Sequence, residues 1–95
     1  MIKISFEFRK KINKQGLRTL YMRINYLSKR IEISTGIKIK PIFWNNKTKE
    51  FKSNCPNGIF FKNKLNSMEG EVLEYSINNK RLSFEDMANG IKGFI

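Results

Sequence analysis

The segment 18–36, RTLYMRINYLSKRIEISTG, alternates apolar and polar residues with a period of two. Leu20, Met22, Ile24 and Tyr26 fall on one side of an extended chain. Thr19, Tyr21, Arg23 and Asn25 fall on the other. After a break at Leu27-Ser28-Lys29, Ile31 and Ile33 alternate with Arg30, Glu32 and Ser34. The pattern predicts a β-hairpin with one oily face and one face of long polar groups. The oily face requires a cover, and the polar face is left free to meet another molecule.

The flanking sequence supplies the rest of a small α+β domain. Ile2, Ile4, Phe6 and Phe8 alternate with Lys3, Ser5, Glu7 and Arg9, which reads as a preceding strand. A basic turn, Lys10 to Gly16, joins it to the hairpin. A three-stranded antiparallel sheet over about residues 2–36 follows, because strands joined by short loops pair as neighbours. Gly36 is expected to end the third strand. Ile37-Lys38-Ile39-Lys40 is then a separate short piece, stopped by Pro41. Trp44 should close one edge of the core, Asn45-Asn46-Lys47 should turn, and Thr48 to Lys52 should form a short return strand. Ser53 to Gly58 is a loop of turn-forming residues, completing a tryptophan loop over 37–58.

From about residue 59 the period changes to that of a helix. Phe61, Leu65, Met68, Val72 and Tyr75 are spaced +4, +3, +4, +3, giving one apolar stripe to cover the sheet over about 59–79. Gly70 inside it costs about 1 kcal/mol relative to Ala and marks either close packing or a weak point. Residues 81–95 are expected as a short second helix or linker. Ser83 should act as its N-cap with Glu85 and Asp86 in the first turn, and Leu82 and Met87 as a hydrophobic staple. The apolar ending Phe94-Ile95 leads to the expectation that a further domain follows, with residues 1–80 as the domain proper.

Charge is segregated. Residues 1–52 carry 14 Lys and Arg against Glu7, Glu32 and Glu50; residues 53–95 carry five of each sign. The whole net charge of +11 therefore belongs to the β half. Solubility alone requires no such division, and a cationic face interleaved with aromatic and amide groups suits a polyanion, nucleic acid first among them. The chain has no apolar run near 18 residues, so no transmembrane helix is expected. The alternating N-terminus does not read as a signal peptide. One cysteine, Cys55, fits a reducing cytoplasm and is expected as a loop thiol. With no histidine to share a metal or activate it, catalytic, metal and cofactor roles are all read as none. No membrane or small-molecule partner is expected, the one long helix being acidic rather than basic.

Three strings carry a family resemblance. Tyr21-Met22-Arg23-Ile24, then Lys29 to Ile39, then Pro41-Ile42-Phe43-Trp44 resemble the N-terminal arm-DNA-binding domain of bacterial tyrosine recombinases, the integrases of phages and conjugative transposons. Phe6 to Lys10 and Leu82 to Asp86 are similar too. The most specific block is Ser34 to Trp44. The resemblance implies a three-stranded sheet backed by a helix and entering the major groove of arm-type sites during DNA integration and recombination. It places the catalytic residues in a separate C-terminal domain, and makes other protomers of a recombinase complex partners of the full-length protein. The turn Leu27-Ser28-Lys29 departs from the Asn-Gly often found there, and Ile42 and Phe43 are unusually apolar for the family.

On this reading Tyr21, Arg23 and Asn25 are candidate base readers, since Arg pairs with guanine and Asn with adenine in a groove wide enough for a β-ribbon. The bland reading of the same face is a solvated sheet with Arg23 paired to Glu32. Glu32 is expected to orient Arg23 rather than read bases. Arg9, Lys10, Lys11, Lys14, Arg18, Lys29, Arg30, Lys38 and Lys40 are candidate phosphate contacts, which position without reading sequence. Two rivals stay open: a small basic RNA-binding module, and a protein-interaction domain using the last helix and Phe94-Ile95.

Overall fold

A computed structural model describes residues 2–94. Three strands, β1 (Lys3–Phe8), β2 (Arg18–Tyr26) and β3 (Lys29–Ile39), form an antiparallel sheet in the order β1-β2-β3. A single 3-10 turn, Pro41–Phe43, leads into a two-stranded hairpin of β4 (Trp44–Asn45) and β5 (Glu50–Phe51). Two helices complete the chain, α1 (Gly58–Asn78) and α2 (Phe84–Phe94). The expected three-stranded sheet backed by a helix, with a shorter helix after it, is what the chain forms.

Register follows the alternation. Ile4 faces Ile24, Phe6 faces Met22 and Phe8 faces Leu20 across β1 and β2. Met22 faces Ile33 and Ile24 faces Ile31 across β2 and β3. Directly opposed residues share a face, so these pairs gather all the apolar side chains on one side. Leu20, Met22 and Ile24 are fully buried there.

The hairpin turn is tighter than the sequence suggests. Tyr26 pairs with Lys29, leaving a two-residue loop in which Leu27 has φ 52° and Ser28 φ 62°. Positive φ at both central residues matches the type I′ turn, whose twist suits antiparallel strands. Two residues with side chains occupy positions that favour Asn and Gly.

Gly36 does not end the third strand. β3 continues to Ile39 through a bulge: β2 advances two residues from Tyr21 to Thr19 while β3 advances four, from Ser34 to Lys38. An insertion of even number preserves the alternation, so Ile37 and Ile39 stay on the core side and are buried. The Ser-Thr-Gly block makes this possible. Gly36 takes φ 77°. The buried Thr35 hydroxyl donates to the Leu20 carbonyl at 2.8 Å and accepts from the Ile37 N–H at 3.1 Å. It thereby satisfies backbone groups that an interrupted ladder would otherwise leave unpaired.

Both helices cover the oily face. One cluster joins Met22, Ile24, Tyr26 and Ile31 to Met68 and Val72 of α1 and to Met87, Ala88 and Ile91 of α2. A second joins Leu20, Ile37, Ile39, Trp44, Cys55 and Leu65. Helix α2 starts as expected, the Asp86 N–H donating to Ser83 Oγ at 3.2 Å. It is locked down by the Tyr26 hydroxyl, which donates to the Leu82 carbonyl at 2.7 Å. Gly90 leaves room for Tyr75; a Cβ there would collide with the Tyr75 ring and hydroxyl. Gly70, by contrast, has nothing within 4 Å of a Cβ position, so close packing does not explain it. Cys55 is buried in the second cluster rather than free in a loop, and desolvation pushes its thiol pKa up. Trp44 is buried as expected, while Ile42 beside it is exposed.

Three variants test this account by thermal or denaturant unfolding. Thr35→Val leaves the Leu20 carbonyl unpaired in the core and should cost about 1–3 kcal/mol. Leu27→Asn with Ser28→Gly relieves the turn and should add about 1 kcal/mol, raising the Tm by roughly 4–8 °C. Gly70→Ala fills open space on a helix surface and should stabilise by about 1 kcal/mol.

Candidate nucleic-acid interface

The face of the sheet opposite the helices is polar along its whole length. β1 contributes Lys3, Ser5 and Glu7; β2 contributes Thr19, Tyr21, Arg23 and Asn25; β3 contributes Arg30, Glu32, Ser34 and Lys38. The ladder runs one step past β1, where the Arg9 N–H donates to the Thr19 carbonyl at 3.0 Å, so Arg9 joins this face. Cations outnumber carboxylates on it, which fits the charge division read from the sequence.

At its centre four side chains form a connected group. Arg23 Nε lies 3.3 Å from Glu32 Oε2, and these two residues are direct cross-strand partners. Arg9 Nη1 lies 4.0 Å from the same carboxylate oxygen, and its guanidinium sits 4.1 Å from the centroid of the Tyr21 ring. Glu32 therefore pairs with Arg23, which both the orienting reading and the solvated-face reading expect, and stands within 4.0 Å of Arg9. Because Glu32 takes Nε, both Nη nitrogens of Arg23 remain for an outside acceptor. The Arg23 side chain is about one-third exposed, so the pair is open to solvent and adds little stability. Its effect is geometric. Tyr21 keeps its hydroxyl edge while the cation occupies one ring face. Asn25 is exposed between Lys3 and Arg30, its neighbours in register.

The candidate phosphate contacts separate by position. Lys10, Lys11 and Lys14 are exposed in the β1–β2 loop, which is shaped by the Asn13 side chain accepting from the Gln15 and Leu17 N–H groups, each at 2.9 Å. Lys38, opposite Thr19, and Lys40 lie at that same end of the sheet. Arg30 stands on the polar face near the other end, opposite Asn25. Arg18 and Lys29 differ from the rest. Arg18 has the register of the core side, opposite Ile39, and its Nε is buried without a partner. Lys29, opposite Tyr26, places its ammonium 5.4 Å from the centroid of the Phe84 ring of α2. Parity along β2 and β3 places both on the core side, although Lys29 remains exposed.

One basic element was missed altogether. Lys49, at the β4–β5 turn, bonds the Glu7 carboxylate at 3.0 Å. No sequence signal joins residues 42 positions apart. An open groove of about 800 Å³ runs between the β1 edge, β5 and the start of α1, with Ser5, Lys49, Phe51, Ile59, Phe60 and Cys55 among its lining.

No curated protein and no solved structure matches the chain. A family model described as "Arm DNA-binding domain" matches residues 6–88, which takes in the second half of β1, all of β2 and β3, the tryptophan hairpin, α1 and the start of α2. The chain therefore belongs to the arm DNA-binding domain family, the non-catalytic DNA-binding part of tyrosine recombinases.

Proposed function

We propose that the sheet docks its polar face into the major groove of duplex DNA and tethers a recombinase to accessory, arm-type sites during integration and excision of a mobile element. DNA is the partner of the family. The observation that carries this mode of binding is the Arg9–Tyr21–Arg23–Glu32 group: a rigid strand presents an arginine whose Nε is held and whose Nη pair is free. That geometry suits the O6 and N7 acceptors of guanine, and a major groove admits a β-ribbon. Tyr21 and Asn25 flank Arg23 on the same strand and extend the reading line. Lys10, Lys11, Lys14, Arg30, Lys38 and Lys40 surround it as phosphate contacts. Arg18 and Lys29 are the least favoured of the phosphate candidates, because both sit on the core side.

Stacking recognition of single-stranded RNA uses exposed aromatic rings. Among the described residues this face offers Tyr21 alone, with Arg9 already over it, which favours the duplex. Joined to other recombinase protomers on a bacterial chromosome, such a domain works in the cytoplasm and aims chemistry carried elsewhere.

Titrations with duplexes differing at single base pairs test the reading. Arg23→Ala should lose about 1–3 kcal/mol of discrimination at one position and bind all single-base variants there alike. Lys14→Ala should weaken every duplex equally and make the salt dependence shallower by about 1 in log–log slope. Undiminished discrimination in Arg23→Ala would remove that residue from base reading.

A further inference from the structure

We propose that the β4–β5 hairpin is a second DNA contact, in which Lys47 grips a backbone phosphate on the β1 side of the sheet. The inference rests on the major-groove reading above and extends it to an element outside the sheet. The hairpin is anchored rather than loose. The Trp44 ring meets Phe8 edge-on at 5.2 Å and Phe51 at 4.9 Å, and Phe51 continues the contact to Phe61 of α1 at 5.6 Å. The Lys52 N–H donates to the Phe43 carbonyl at 2.8 Å and closes the base of the hairpin.

Its tip is polar, exposed and knitted by side chains. Asn45 Oδ1 accepts from the Lys47 N–H at 2.9 Å and the Thr48 N–H at 3.2 Å. Lys49 takes φ 59° and donates from Nζ to Asn46 Oδ1 at 2.9 Å. The same ammonium reaches Glu7, which stands on the polar face directly opposite Tyr21. Lys49 thus ties the hairpin tip to the edge of the reading face. It also neutralises a carboxylate that would repel phosphate there. Lys47, two residues earlier in the same turn, is exposed and pairs with no carboxylate among the described residues. A cation carried beside the groove-facing sheet on a pre-ordered turn loses only side-chain freedom on meeting phosphate, because its backbone is already fixed.

The test uses the whole chain and three variants, Lys47→Ala, Lys47→Glu and Arg23→Ala, with circular dichroism to verify the fold. Affinity is measured against specific and unrelated duplexes over a salt series, with phosphate-ethylation interference on the specific site. Lys47→Ala should weaken all duplexes several-fold alike and reduce the log–log salt slope by about 0.9. Lys47→Glu should weaken them further, and interference should vanish at phosphates on one flank only. If both Lys47 variants bind as the parent does while Arg23→Ala still relaxes specificity, the hairpin stands off the DNA and the proposal is wrong. If Arg23→Ala also changes nothing, the sheet reading fails and the hairpin contact falls with it.

Discussion

Everything in this domain depends on keeping one parity along β2 and β3. Leu20, Met22, Ile24 and Tyr26 share a side, and so do Ile31, Ile33, Ile37 and Ile39. A slip of one residue would turn every apolar side chain outward and every cation inward. The bulge at Ser34 to Lys38 is therefore the delicate point of the fold. It adds an even number of residues, and Thr35 replaces the interrupted backbone bonding with its own hydroxyl. The Ser34-Thr35-Gly36 block is thus a structural device. It lengthens the core side of β3 so that Ile37 and Ile39 can meet Trp44 and Leu65.

Burial of the oily face then leaves the opposite face for function. Two helices, not one, cover the sheet: α1 supplies Leu65, Met68 and Val72, and α2 supplies Met87, Ala88 and Ile91. A domain this small has little core to spare, so the added helix contributes a substantial share of its buried apolar surface. With both helices on one side, most strand cations of the β half lie on the other, Arg18 and Lys29 being the exceptions. The carboxylates among them are not free charges. Glu32 holds Arg23 and Arg9, and Glu7 holds Lys49. A DNA-binding face tolerates such acids when each fixes the direction of a cation, because orientation is what distinguishes base reading from general attraction.

The lessons for reading the sequence are specific. The three strands, the α1 stripe and the Ser83 cap were legible because each rests on a local period or a cap pattern. Arg23 with Glu32 was legible because hairpin register makes them opposite neighbours. Gly36 misled, since a glycine after alternating residues reads equally as a strand end and as a bulge. Cys55 misled because its loop is folded under the tryptophan hairpin, which no loop composition announces. Arg18 shows that charge is a poorer guide than parity: its position places it beneath the sheet despite its guanidinium.

The sequence by itself determined which residues are core and which are polar within each strand and along α1, because backbone geometry converts spacing directly into sidedness. It also determined that the positive charge lies on the β half. Only the tertiary structure decided that α2 closes the core, that Arg9 covers Tyr21, and that Lys49 reaches Glu7 across 42 residues. Those facts join segments remote in the chain. They depend on how the packed elements meet in space, and no periodicity within one segment records that.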